Sequence, residues 1–220
     1  MRQIVDGVFE VGIGFVHAHL VVTDDGVILV DTGLAGRTAA LAAALQETRR
    51  TVGDITAILL THWHFDHTGG LAELRRGSGA RVVAHHLDTP TIDGTRPAAL
   101  TRLQRLLSVV LKPAEPAPVD VALTVDGPTP IPGFTAVHTP GHTAGHVSYL
   151  LDRAGGVLFA GDAASGGSRV RRPLGLMTED RARSEESLRR LAGLSFGTVV
   201  FGHGKAVTSG GADSFRALVG

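Results

Sequence analysis

The order of short apolar runs and turns predicts a layered α/β protein, and three observations carry that expectation. Residues 4–31 alternate apolar runs with turns in the manner of a β-meander: Ile4-Val5 to Asp6-Gly7, Val8 to Val11, His19 to Val22, Asp24-Asp25-Gly26, then Val27 to Val30. Two apolar strands next lead through tight turns into helical segments, Val27 to Val30 by way of Asp31-Thr32-Gly33 and Ile55 to Thr61 by way of Gly69-Gly70. Chemically active residue types gather where apolar strands end, which is where layered α/β proteins commonly place their sites.

Each later element follows from the same patterns. An alanine-rich helix runs to about Arg49 with Leu41 and Leu45 four apart; a helix around Leu71 to Arg75 precedes the strand Arg81 to Ala84. Residues 87–118 break the rhythm with Thr89-Pro90, Asp93-Gly94 and Arg96-Pro97, then a helix from about Ala98 to Lys112 with Leu100, Leu103, Leu107 and Val110-Leu111 on one face. That insertion either covers a site or simply packs on the core. Strands resume at Val119 to Val125, Thr135 to His138, Val147 to Leu151 and Gly156 to Ala160. A helix from about Glu179 to Leu194 offers Glu185/Arg189 and Glu186/Arg190 at i,i+4, and a strand covers Thr198 to Phe201.

Composition bounds the function. At 220 residues the chain can bury a substantial core, and its 21 basic and 21 acidic residues balance, so charge argues for neither nucleic acid nor a membrane surface. Cysteine is absent, which removes disulfides, thiolate metal sites and a cysteine nucleophile. The start Met1-Arg2-Gln3-Ile4-Val5-Asp6 lacks a signal-peptide pattern and no apolar run suits a membrane helix, so a cytoplasmic protein is expected. Eleven histidines are the compositional oddity.

Four of the possible metal ligands fall within Thr61-His62-Trp63-His64-Phe65-Asp66-His67. Imidazole and carboxylate suit Zn²⁺ and similar divalent ions, and so many donors share a small volume only around positive charge. His62 and His64 project to one side of an extended segment; Asp66 and His67 lie beyond the bend and can address a second ion. Three more strand ends carry comparable groups: His142 and His146 in Thr139-Pro140-Gly141-His142-Thr143-Ala144-Gly145-His146, Asp162 after Gly161, and His203 between Gly202 and Gly204. Gly141 and Gly145 permit backbone conformations that bring His142 close to the first cluster. Asp31 either caps its turn or supports a ligating histidine from behind. His17, His19, His85 and His86 are assigned no role in the site.

Taken together and in this order, these motifs resemble the metallo-β-lactamase-fold hydrolases, and the resemblance covers nearly the whole chain. It implies an αβ/βα sandwich, two mixed β-sheets flanked by helices, formed by residues 1–220 as a single domain with a helical insertion at about 87–118. It implies two divalent metal ions, foremost Zn with Mn or Fe as alternatives: His62, His64 and His142 on one, Asp66, His67 and His203 on the other, and Asp162 bridging. Asp66 is further expected to orient the attacking hydroxide and relay its proton, and His146 to be structural or to stand behind a ligand.

Family members act on β-lactams, thioesters, lactones and phosphodiesters, so the fold alone sets no substrate. The chain ends soon after His203, which argues against the added C-terminal domain of glyoxalase II-like enzymes; the lack of cysteine excludes one lactamase subclass and a bridging Asp162 speaks against the others. A small ester, thioester or lactone is the expectation, β-lactam hydrolysis a lesser alternative. A lactonase of this fold typically places a tyrosine by the metals, and the single tyrosine here, Tyr149, lies inside a strand. Persulfide dioxygenases share the fold and bind one iron through residues equivalent to His62, His142 and Asp162; the intact Asp66, His67 and His203 set argues for the hydrolase.

Overall fold

A computed structural model of the chain describes residues 1–98, 100, 112–124 and 126–220. The first sheet contains β1 (Arg2–Val5), β2 (Val8–Ile13), β3 (Val16–Thr23), β4 (Gly26–Val30), β5 (Ile55–Leu59), β6 (Arg81–His85) and β7 (Val121–Leu123), side by side in sequence order. Its first four strands are an antiparallel meander, and β4 to β7 run parallel. The parallel connections are made by helices, with α1 (Thr38–Glu47) between β4 and β5, and α2 (Phe65–Thr68) and α3 (Leu71–Ser78) between β5 and β6. A short helix α4 (Thr89–Ile92) follows β6.

The second sheet has the order β12-β11-β10-β9-β8, built from β8 (Gly127–Pro128), β9 (Phe134–His138), β10 (Val147–Leu151), β11 (Val157–Phe159) and β12 (Thr198–Val200). Only its β11/β12 pair is parallel, and the crossing between them is made by α5 (Arg181–Ala192). The chain closes with α6 (Gly211–Val219).

Strand alternation explains the layering. In β4, Val27 and Leu29 face α1 and α3, while Ile28 and Val30 face the other sheet; in β10, Val147, Tyr149 and Leu151 answer them across the interface. Leu158 and Ala160 after it point the other way, toward Leu188 and Leu191 of α5 and Phe215 of α6. Strands covered on both faces must be apolar at every position, which is why Val27–Val30 reads as an unbroken run. The result is helix, sheet, sheet, helix, with three apolar layers between them.

Three local readings change. The i,i+4 pairs expected along α5 are replaced by longer reaches: Glu185 accepts from Arg172, and Arg190 binds Asp126 and the carbonyl of His138, because these partners sit on neighbouring segments at better geometry. Helix α6 had no clear sequence signal; its Ala212 and Phe215 are buried, Phe215 edge-on against Phe196. The helix expected at 98–112 falls almost wholly outside the described residues. Among those described, no helix is long and apolar enough to cross a membrane.

Candidate metal centre

Four strands end at one edge of the sandwich, and each releases a loop with donors on it. The loop after β5 brings His62 and His64, and α2 adds Asp66 and His67; the loop after β9 brings His142; Asp162 and His203 follow β11 and β12. All seven converge. His64 Nδ1 lies 3.0 Å from His62 Nε2 and 2.9 Å from His142 Nε2, a triad of imidazole nitrogens. Beside it, Asp66 Oδ2 is 3.9 Å from His67 Nε2 and 3.3 Å from His203 Nε2. Asp162 sits between the two groups: Oδ2 is 3.4 Å from His142 Nε2 and 3.3 Å from His203 Nε2, and Oδ1 is 3.5 Å from His67 Nε2.

Tautomers are fixed from behind. Asp31, buried and in a left-handed conformation (φ 59°), accepts the Thr61 N–H, the Thr61 hydroxyl and His67 Nδ1–H, each at 2.8 Å. Of the two readings of Asp31, the structure shows histidine support: its carboxylate bonds the ligand loop and not its own turn. With its proton given to Asp31, the Thr61 hydroxyl accepts from His62 Nδ1–H at 3.0 Å, and His203 Nδ1–H donates to the Phe15 carbonyl at 2.9 Å. In the neutral ring each of these histidines thus turns a lone pair on Nε2 toward the cluster, the arrangement metal-ligating histidines use. His146 stands behind Asp162: its Nε2 accepts the Asp162 N–H at 3.0 Å, so its Nδ1–H donates to Thr139 Oγ1 at 2.8 Å.

Charge divides the cluster. Burial, then neighbouring imidazoles, push the pKa of His62 and of His64 well below the ordinary value, and burial lowers that of His142. Burial also opposes charge on His67 and His203, but the carboxylates outweigh it: Asp162, Asp31 and Asp66 hold His67 well above its usual pKa, and Asp162 and Asp66 carry His203 up to about 10. Asp162 is driven well below the carboxylate range, its burial overcome by His67 and His203. The carboxylates thus favour positive charge at the His67 and His203 side of the cluster.

The residues fit metal. His67 Nε2 and Asp162 Oδ1 are buried with no hydrogen-bond partner, a cost that a cation between them would remove. Three donor groups, His62/His64/His142, His62/His67/Asp162 and Asp66/His67/His203, each place their ligand atoms within 4.8 Å of one another.

Sequence reading missed Asp88. This buried carboxylate accepts the Trp63 N–H at 3.1 Å, the Gly145 N–H at 2.8 Å and the Thr143 hydroxyl at 2.7 Å, clamping the His62–His64 loop to the His142 loop. Burial raises its pKa to about 6 against those three bonds. An Asp two residues after a His-His pair carries no pattern that would have singled it out. The clamp also revises the reading of the glycines. Gly141 has φ 133°, as expected of a residue chosen for its dihedral; Gly145 has no positive φ and is needed for room, since a Cβ there would lie 2.4 Å from Asp88 Oδ1. Of the unassigned histidines, His85 stacks on His138 at 4.0 Å and His19 is buried beside Glu10, and neither joins the cluster.

A family model described as the metallo-beta-lactamase superfamily matches residues 11–203. The chain belongs to that superfamily. Relatives of this metallo-beta-lactamase superfamily chain include a probable metallo-hydrolase, YflN, of Bacillus subtilis, 30% identical over 82% of this chain and 76% of its own length. The thioesterase pkgB of Emericella nidulans is 29% identical over 87% of this chain, and a hydroxyacylglutathione hydrolase of Shewanella baltica 34% identical over 67%; the chain spans 46% of the length of each. Among solved structures, a metallo-beta-lactamase family protein from Thermus thermophilus superposes with a TM-score of 0.74 at 26% identity, covering 98% of this chain and 80% of that one. The fold and the relatives make the chain a metallo-hydrolase of this superfamily.

Proposed function

We infer that the chain hydrolyses a small-molecule ester, thioester or lactone at a dinuclear centre. His62, His64 and His142 would hold one divalent ion, Asp66, His67 and His203 the other, with Asp162 shared. The observation that carries this reading is the position of Asp162, whose two oxygens reach toward His67, His142 and His203 at 3.3–3.5 Å and so join the two donor sets. Divalent ions bound there would supply a nucleophile derived from water at neutral pH and a positive field for an oxygen turning anionic. Zn suits a set of imidazoles and carboxylates without thiolate, with Mn or Fe as alternatives.

The chain's own groups do the rest. Asp66, a carboxylate that lines the cavity in front of the cluster, would orient the attacking water, accept its proton and return it to the departing alkoxide or thiolate. His146, through the Asp162 N–H, and Asp31, through His67 and Thr61, hold the donors in place so that little reorganisation accompanies reaction. Names among the relatives, thioesterase and hydroxyacylglutathione hydrolase, favour acyl chemistry. The lactone branch has less support: the buried Tyr149 hydroxyl donates to the Leu60 carbonyl at 2.9 Å, spending on the backbone the phenol that a lactone site would want free.

Elemental analysis of the purified protein, followed by a panel of esters, thioesters and lactones, tests the reading. Close to two zinc or manganese ions per chain with turnover of an acyl compound is the expected result. About one iron per chain, with oxygen uptake on a persulfide and no hydrolysis, would overturn it.

A further inference from the structure

The cavity in front of the cluster has a volume of about 420 Å³, and away from the donors its wall is carbon: Phe15, Phe65, Ala164, Pro173, Leu174 and Met177. Among the described residues, Ser165 is the one other polar side chain in the lining, which includes no Lys or Arg. Phe15 and Leu174 are 53% and 76% exposed, two of the four large apolar side chains left so open among the described residues. Apolar side chains that remain in water beside a site are more economically explained by a ligand than by packing.

Both walls are anchored to the donor loops. Phe15, at the tip of the β2–β3 hairpin, accepts from His203 through its carbonyl and lies parallel to that imidazole, ring centroids 5.9 Å apart and planes 10° from parallel. The His17 N–H, two residues on, donates to the Gly202 carbonyl at 2.8 Å. Elsewhere on the lining, the segment bearing Leu174 and Met177 is tied at both ends. The Gly166 N–H bonds the His203 carbonyl at 2.9 Å, and the Glu179 and Asp180 N–H groups bond the carbonyls of His142 and Gly141 at 3.3 and 2.8 Å. A carbonyl group placed at the donors would therefore share its cavity with Phe15 and Leu174.

Resting on the hydrolase reading above, we propose that this wall is a subsite for an uncharged, apolar acyl chain, so that the preferred substrates are medium-chain acyl esters or thioesters rather than acyl groups ending in a carboxylate. A charged end would be desolvated there without a partner. At roughly 30 Å³ per non-hydrogen atom, the cavity has room for about a dozen such atoms.

The test is a series of N-acetylcysteamine thioesters with unbranched acyl chains of increasing length, each with its ω-carboxylated counterpart, together with the fluorescence of N-phenyl-1-naphthylamine, an uncharged apolar probe. The expected kcat/KM rises by up to about fourfold per added methylene until the cavity is filled, and the ω-carboxylates fall at least about tenfold behind. Phe15→Ser and Leu174→Ser flatten the series and weaken probe binding, and Leu174→Arg narrows or reverses the discrimination against ω-carboxylates. A chain-length series that is flat in the native protein, or equal turnover of the carboxylated compounds, overturns the subsite while leaving the hydrolase intact. Should no acyl compound be turned over, the hydrolase reading falls and the probe decides the subsite alone: binding lost in both Ser variants supports it, and no binding overturns it.

Discussion

Gly202→Ala adds one methyl group at the most crowded point of the cluster. Built on the native backbone, its Cβ would lie 2.4 Å from Asp162 Oδ1, 2.5 Å from His67 Cε1 and 3.3 Å from His67 Nε2. Unstrained contacts begin near 3.5 Å, so something must give by about 1 Å. Each route of escape disturbs the donors. A shift of the Asp162 carboxylate moves its oxygens away from His67, His142 and His203, a shift of His67 breaks its Nδ1–H bond to Asp31, and a shift of the Gly202 backbone breaks its N–H bond to Gly161 O at 3.1 Å and its carbonyl's bond from the His17 N–H. Overpacking of this kind costs about 1–3 kcal/mol of stability. A misplacement of about 1 Å at reacting groups costs on the order of 10²-fold in rate. The variant should therefore unfold in urea at a lower midpoint when metal-free and, when loaded with metal, retain less of it after gel filtration and lose about two orders of magnitude in kcat/KM. Gly193→Ala is the control: it has φ −81° and its nearest new contact would be 3.4 Å away, so stability within about 1 kcal/mol of native and unchanged metal content are expected. A Gly202→Ala protein with native metal content and native kcat/KM would refute the claim that Asp162 and His67 are set to within an ångström.

Three further outcomes follow from the same geometry. Asp66→Ala should abolish hydrolysis with the circular-dichroism spectrum unchanged, and turnover retained with part of the metal lost would count against the proton-relay role. Tyr149→Phe removes a buried hydroxyl bonded to Leu60 O, so thermal or urea unfolding should show a loss of about 1 kcal/mol with kcat/KM unaltered; a fall in kcat/KM would place the phenol in the chemistry. Metal uptake should release protons. His203 has its pKa raised from 6.5 to about 10 and that of His67 is raised too, so His203 at least should be protonated in the metal-free fold at pH 7.5, and the stabilisation such charge brings is present at low pH and lost as pH rises through the folded value. Titration with zinc in a weakly buffered indicator solution at pH 7.5 should thus acidify the medium, and apparent affinity should fall as pH is lowered; zinc binding without proton release would contradict this charge assignment.

The strand ends were legible because apolar runs of β-branched residues break so abruptly into His, Asp and Gly; nothing in a packed core calls for Gly-His-Gly or Gly-Asp there. The sheet interior was legible for the same reason, since Val27–Val30 and Ala57–Leu60 are apolar on both faces. What stayed hidden depends on partners remote in sequence. Asp88 bonds groups 25, 55 and 57 positions away, and no local pattern marks a residue whose role is to join two loops. The apolar wall was hidden likewise: Phe15 looks like an ordinary hairpin residue, and Leu174 like a stray apolar residue in an Arg-rich loop, until the fold sets both on the lining of one cavity. The helix expected at 98–112, which either covers the site or packs on the core, lies almost wholly outside the described residues; the apolar wall that is described lies on the hairpin tip and the segment before α5. Arg190 and Glu185 taught the opposite lesson, that helical spacing proposes an ion pair and tertiary neighbours dispose of it.

The donors are shared between the two halves of the sandwich: His62, His64, Asp66 and His67 descend from the first sheet, and His142, Asp162 and His203 from the second. Neither sheet owns a complete triad. Any ion bound among them is consequently a rivet through the seam, and its free concentration enters the cohesion of the whole molecule, by about 2.7 kcal/mol at a hundredfold excess over the dissociation constant. Metal supply and mechanical integrity are then one variable, and a cell that starves this protein of metal removes a fastener as well as a reagent.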